Sequence, residues 1–163
     1  MMVWINIAVW VVIHLTISVM VFLSPPSFIQ MFSRVFSPCK WEKHGRFYEH
    51  FYIKKWKNRL PEARKWMNKG RGKKAMSIRD PEQTEIFYLM TNRSEISHWL
   101  QILPAPLFFL FNPVWAGWIM VAYALLFNLP FIMIQRYNRA RLWKVHSNKG
   151  LRRELEKRLI QTE

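Results

Sequence analysis

The sequence is short of three things. It has one cysteine, Cys39, in 163 residues, and only five glycines. A single thiol cannot close an internal disulfide, so the chain is not a disulfide-stapled scaffold. Acids are scarce: 10 Asp and Glu stand against 25 Lys and Arg, for a formal charge of +15. Disorder is excluded by what accompanies the charge, since 51% of residues are hydrophobic and 16% aromatic. The length is that of one domain, and no internal repeat is evident.

A more telling shortage is local. Met1 to Ser33 contains no Lys, Arg, Asp or Glu, and neither does Ile96 to Gln135. All 25 Lys and Arg lie in two blocks, 34–95 and 136–163. A soluble protein mixes charge along its length, because each helix needs a wet face. Segregation of this kind predicts an all-α integral membrane protein. About three transmembrane helices are expected, one N-terminal span plus a helical hairpin, with a basic amphipathic cytoplasmic segment.

The first span is placed at about 3–23, close to the ~20 apolar residues that cross a hydrocarbon core. Ser24-Pro25-Pro26 ends it, since proline breaks the helical ladder. A secretory signal would need a basic start and a small-residue cleavage site, and neither is present. Asn112-Pro113, a turn signal, divides the second stretch into spans at about 96–111 and 115–134. Pro104 and Pro106 predict a kink in the first of these, and Pro130 a bend in the second. Cation-rich flanks face the cytoplasm. The expected topology is therefore multi-pass in the cell membrane. The N-terminus is outside; the interfacial region 24–95 and the tail 136–163 are cytoplasmic.

Within 24–95, Phe47, Tyr48, Phe51, Tyr52, Trp56 and Leu60 recur at three- and four-residue steps. Their spacing predicts one helical face over Trp41 to Leu60. Lys43, Arg46, Lys54 and Lys57 lie mostly elsewhere, which suits a helix in the headgroup layer. A core helix packed on its neighbours is the alternative. Lys69 to Lys74 is a basic loop, worth about 1 kcal/mol per cation on anionic lipid, or a holder of ligand phosphates. It lacks the glycine spacing of a P-loop. Asp80-Pro81-Glu82 reads as a helix start, and Asn92 with Glu95 as a capping box that could restart it. Otherwise one long helix runs from Pro81 into the membrane. Leu151, Leu155 and Leu159 make a docking stripe on the tail.

Two polar clusters could do chemistry. Glu95 and His98 share a helical face at the expected cytoplasmic mouth of the second span. An imidazole can take a proton from a hydroxyl, and a carboxylate can orient it; both could equally just mark the headgroup boundary. Asn128, Gln135, Arg136, Tyr137, Asn138, Arg139 and Arg141 form the second cluster. Positions 128, 135 and 139 share one face, and arginines suit bidentate phosphate or carboxylate contact. A plain stop of cations accounts for Arg136 or Arg141 alone, but less well for the two asparagines. A metal site would need His44, Glu49 and His50 to join a single Glu-x-x-His pair, and no metal is expected. No nucleophile-elbow pattern is present. Nucleic-acid binding is not expected, because every cation lies in a block that flanks a span.

Three blocks of sequence then resemble a known family. They are Glu42-Lys43-His44-Gly45-Arg46-Phe47 with Phe51-Tyr52-Ile53-Lys54-Lys55-Trp56-Lys57 and Leu60-Pro61; Ser94-Glu95-Ile96-Ser97-His98-Trp99 with Leu103-Pro104; and Asn128-Leu129-Pro130 with Gln135 to Leu142. In this order the chain resembles the glycosyl-4,4'-diaponeurosporenoate acyltransferase family of carotenoid (staphyloxanthin) biosynthesis. The first span matches by hydropathy only, the loop 62–75 loosely and the tail not at all. The family often has alanine at Ser94 and proline at Ala140; neither change removes a titratable group.

The resemblance implies a membrane enzyme that esterifies the glucose 6-hydroxyl of a glycosylated C30 carotenoid acid, or of another glycolipid, with a fatty acyl group. No cofactor is implied beyond an acyl thioester as co-substrate. Such chemistry would make His98 the base and Glu95 its orienter, with Asn138 and Arg139 holding the oxyanion or the acyl donor. Arg136, Arg141 and Lys57 would meet the donor's phosphates. Asn128, Gln135, Trp56 and His44 complete the expected substrate-binding set. The bilayer and other carotenoid enzymes are the expected partners. Two rivals remain at this stage: another lipid-modifying membrane transferase, such as a methyltransferase, and a non-catalytic subunit of a pigment-enzyme assembly.

Overall fold

The computed structural model describes residues 2–32, 35–59 and 81–160. Every element among them is helical: α1 (Met2–Leu23), α2 (Pro26–Met31), a 3-10 helix (Lys40–Gly45), α3 (Arg46–Glu49), α4 (Ile53–Trp56), a 3-10 helix (Lys57–Arg59), α5 (Pro81–Ile102), a 3-10 helix (Ala105–Leu110) and α6 (Val114–Ile160). The basic loop 69–74 and Asp80 lie outside the described residues. The tail is helical in backbone, but the side chains of Leu151, Leu155 and Leu159 are also outside them. The chain divides into two compact units, residues 1–36 with 86–135 and residues 37–85 with 136–163.

The first unit is built around α1. Its 22 residues extend about 33 Å at 1.5 Å each, enough to cross a bilayer core. The helix is apolar all round, yet only Asn6, Trp10 and Val21 are buried. Trp4 is 75% exposed and Leu15 62%. A core helix would hide such residues; this one presents them to lipid. α6 also has an apolar, charge-free stretch long enough to span. The protein is an all-α membrane protein.

Polar rungs set the order of the chain passes. Asn6 and Asn112 form a reciprocal amide pair, each Nδ2 donating to the other's Oδ1 at 2.9 and 3.0 Å. Gln101 Nε2 donates to Ser18 Oγ at 3.1 Å, and Arg93 donates to the Ser24 carbonyl at 2.7 Å. Trp10 Nε1 donates to Met120 Sδ at 3.3 Å. Along α1 the partners on 93–112 therefore descend in number, while on α6 they ascend, from Met120 at Trp10 to Phe127 at His14. The first runs antiparallel to α1 and the second parallel to it. Two apolar clusters fill the space between rungs: Trp10, Ala105, Phe108 and Ala124, and then Val21, Ile29, Phe36 and Ile96.

The stretch 96–111 runs alongside α1, but not as one α-helix. α5 ends at Ile102, and the chain continues as the 3-10 helix Ala105–Leu110. The prolines at 104 and 106 thus produce a change of helix type, a stronger break than the expected kink. Ala105 and Phe108 of this 3-10 helix are 1% exposed, whereas Leu107 and Leu110 are 57% and 82% exposed. Downstream, α6 starts on Pro113, whose carbonyl accepts from the backbone N–H of Ala116 and Gly117. It continues unbroken through Pro130. α5 is also continuous from Pro81 past Asn92, so the capping-box restart does not occur and the long-helix alternative holds.

The second unit corrects the expected helix over Trp41 to Leu60. Over its described residues, up to Arg59, that stretch is four short helical pieces instead of one helix; Leu60 lies outside them. Two of the three breaks fall where the backbone is left-handed: at His44 (φ 58) with Gly45 (φ 91), and at Tyr52 (φ 53). Left-handed residues cannot continue a right-handed helix. The face is therefore divided: Tyr48 and Ile53 turn inward, while Trp41, Phe47, Phe51 and Tyr52 stay exposed.

Candidate functional site

In the first unit, α5 and α6 bring His98 and Asn128 together from 30 residues apart. His98 Nδ1 lies 2.9 Å from Asn128 Oδ1. Asn128 is fully buried. Its Nδ2 donates to the Ala124 carbonyl one turn back, at 2.9 Å. That bond settles the amide orientation, because a carbonyl can only accept and so must face the NH2 group. Oδ1 then faces the imidazole and also only accepts. Nδ1 must carry the proton, and in the neutral ring Nε2 keeps the lone pair. Phe131, one helical turn beyond Phe127 on α6, stacks on the imidazole at 4.7 Å with planes 9° apart. The ring is thus held by an edge and a face.

Glu95 is also fully buried, and its Oε1 accepts from Trp99 Nε1 at 3.3 Å. The hydrogen bond at His98 Nδ1 is made with Asn128. Gln135, the last residue of this unit, is half-buried.

In the second unit Glu42 is the centre. It is 1% exposed, so its charge needs close partners. Arg136 Nε donates to Oε1 at 2.9 Å, Tyr48 Oη donates to the same oxygen, and the Cys39 backbone N–H donates to Oε2. Arg136 Nε also reaches Tyr48 Oη at 3.2 Å. Burial and the adjacent Glu42 carboxylate push the Tyr48 phenol well above its ordinary pKa. Sequence reasoning missed Glu42 and Tyr48 as a site. An acid standing inside the most basic block was the available signal.

The other expected residues of this unit fall around that centre. Arg139 is 1% exposed, and Asn138 is half-buried. Arg141 is half open to solvent, 4.0 Å from Glu49, and its stem packs where a side chain on Gly45 would sit. Lys57 Nζ stands 4.9 Å over the Tyr137 ring. Trp56 Nε1 donates to the Phe51 carbonyl at 2.9 Å. His44 packs its ring 6.3 Å from Trp143. The Lys54 ammonium at 2.8 Å holds the Glu49 carboxyl below its usual range. Glu95 and His98 belong to one unit and His44, Glu49 and His50 to the other. Among the described residues no three His, Cys, Asp or Glu gather as a metal site.

Comparison with known proteins agrees with the resemblance. Residues 32–148 match the family model described as glycosyl-4,4'-diaponeurosporenoate acyltransferase. A glycosyl-4,4'-diaponeurosporenoate acyltransferase from Staphylococcus aureus (strain MRSA252) is 30% identical over 134 residues, covering 82% of this chain and 81% of the relative. Proteins of the same name from strains bovine RF122 / ET3-1 and USA300 are 29% identical over the same shares. No solved structure matches the chain. The chain is an acyltransferase, and it belongs to the glycosyl-4,4'-diaponeurosporenoate acyltransferase family.

Proposed function

We propose that the protein esterifies a sugar hydroxyl with a fatty acyl group at the membrane surface. The acceptor in this reading is the glucose 6-hydroxyl of a glycosylated C30 carotenoid acid, the class named in its relatives. The donor is an acyl thioester. The observation that carries the reading is the His98–Asn128 pair, which leaves Nε2 as the basic nitrogen.

His98 Nε2 takes the proton of the attacking hydroxyl. The sugar oxygen adds to the thioester carbonyl, and a tetrahedral oxyanion forms. Its collapse forms the ester and breaks the C–S bond. The imidazolium returns its proton to the leaving thiolate, so the enzyme is regenerated. Asn128 keeps the imidazole in the required tautomer, and the buried Glu95 supports the cation that forms transiently. Arg139 and Asn138 hold the oxyanion or the acyl donor. Arg141 and Lys57 meet the donor's phosphates. Arg136 serves mainly to neutralise Glu42; Gln135, Trp56 and His44 line the substrate's path.

The charge pattern supports a three-pass topology with the N-terminus outside and both basic blocks cytoplasmic. The bilayer then holds the acceptor's polyene, while its sugar meets a soluble acyl donor. Other carotenoid enzymes are the natural partners, as suppliers of a substrate that does not leave the membrane.

The test uses purified protein in detergent, glycosylated carotenoid acid and radiolabelled acyl thioester, of coenzyme A or of acyl carrier protein. Labelled ester is the expected product. No ester with either donor would overturn the reading. His98→Ala should insert normally and lose transfer; near-normal transfer would remove His98 from the mechanism.

A further inference from the structure

His14, in the middle of α1, is not used by the mechanism above. Among the described residues neither of its ring nitrogens has a hydrogen-bond partner, and both are shielded from solvent. A neutral imidazole always carries one N–H and one lone pair to satisfy. Inside a span no water meets that need, and an ionisable residue there marks function by default.

Packing is the plain alternative. The ring stacks on Trp10 at 5.4 Å, tilts against Phe127 at 5.0 Å and meets the edge of Tyr123 at 6.2 Å. A phenylalanine would do all of that without two unsatisfied nitrogens. Packing therefore accounts for an aromatic ring at position 14, not for an imidazole.

The neighbours say what the imidazole faces. Tyr123, Phe127 and Phe131 follow one another at four-residue steps on α6, with centroids 5.6 and 6.0 Å apart. His14 lies against Phe127, and His98 lies against Phe131. The two imidazoles flank one aromatic row. Tyr123 and Phe127 remain 38% and 44% exposed, so the row is open along one side. An apolar, aromatic surface with a few convergent polar groups is how proteins bind ligands that are mostly hydrocarbon.

We infer that His14 is a second acceptor-binding histidine. It hydrogen-bonds the ester carbonyl that joins the sugar to the polyene, while the reacting hydroxyl lies at His98. The hydrocarbon part of the acceptor lies along the aromatic row, and rotation of Phe127 or Tyr123 bares the ring nitrogen. The inference rests on the proposed acyl transfer for the identity of the acceptor.

The test compares wild type, His14→Phe and His14→Gln in detergent, by steady-state transfer and by quenching of tryptophan fluorescence with the glycosylated acceptor. His14→Phe preserves the packing and removes the hydrogen bond. Its acceptor KM and Kd should rise about tenfold, the loss of roughly one hydrogen bond. The donor KM should not move, and kcat should fall far less. His14→Gln, which restores a donor and an acceptor, should recover part of the loss. An unchanged acceptor Kd in His14→Phe would overturn the inference and leave packing. An equal rise in acceptor and donor KM would overturn it too. If wild type binds the acceptor but transfers nothing, the acyl-transfer reading fails alone, and the Kd comparison still decides the role of His14.

Discussion

Asn128 holds His98 from 30 residues away, and the Ala124 carbonyl in turn holds Asn128. Three groups in series thus determine which imidazole nitrogen is basic. The arrangement needs no ionised partner, which suits a site whose orienting residue is fully buried.

Two substitutions test that chain. His98→Ala should lower kcat/KM for transfer by about 10²–10⁴-fold, the range for removing a general base. Asn128→Leu keeps the volume, loses the acceptor at Oδ1 and frees the tautomer. It should cost about tenfold, one hydrogen bond's worth. A kinetic assay with both variants checks the order. Asn128→Leu at wild-type activity would remove the tautomer argument.

Glu42 is the anchor of the second unit. Removing its carboxylate takes away the acid 2.9 Å from the Nε of Arg136, which is only 17% exposed. Breaking a buried pair from one side costs about 3–5 kcal/mol. Glu42→Ala should lower the thermal midpoint in detergent substantially. Glu42→Ala with Arg136→Met should recover part of that loss. An unchanged midpoint in the single variant would show that the pair contributes little.

Tyr48 sets an alkaline limit. Its phenol has a folded pKa raised above the ordinary 10.0, chiefly by burial and then by Glu42. The folded state therefore favours the neutral phenol. That stabilisation is complete below about pH 10 and is lost as pH rises beyond it. Absorbance at alkaline pH should show a component ionising above the ordinary phenol range, and Tyr48→Phe should abolish it.

Gly117 lies under the Phe109 ring, and a methyl added there would overlap it. Phe109 also meets Trp118 edge-on at 5.5 Å, so the ring has little room to yield. Gly117→Ala should destabilise the start of α6 by about 1–3 kcal/mol, as overpacking does. Phe109→Ala in the same chain should relieve the clash, which thermal unfolding of the double variant would reveal.

Much of the fold is legible in the sequence because solvent preference is local. A long apolar stretch with no charge favours lipid whatever its neighbours are, so the two long apolar helices and the turn at Asn112-Pro113 could be read directly. The break after Ile102 was readable as a kink, since Pro104 and Pro106 are local too. The helix over Trp41 to Leu60 was misread, because its aromatic spacing is helical while its backbone is not. Only His44, Gly45 and Tyr52 in left-handed geometry reveal that, and two of those three carry no such signal in their residue type.

What the sequence by itself determined is where charge is absent and where the cations cluster, and that Glu95, His98, Asn128 and the arginines after it lie near where one gives way to the other. Tertiary structure alone decided the partners. His98 pairs with Asn128 across 30 residues, and Glu42 with Arg136 across 94. His14 meets Phe127 through the packing of α1 on α6. Periodicity orders residues along one helix and says nothing of which second helix lies beside it. Hydrogen-bond direction and ring stacking exist only once the chain passes are side by side.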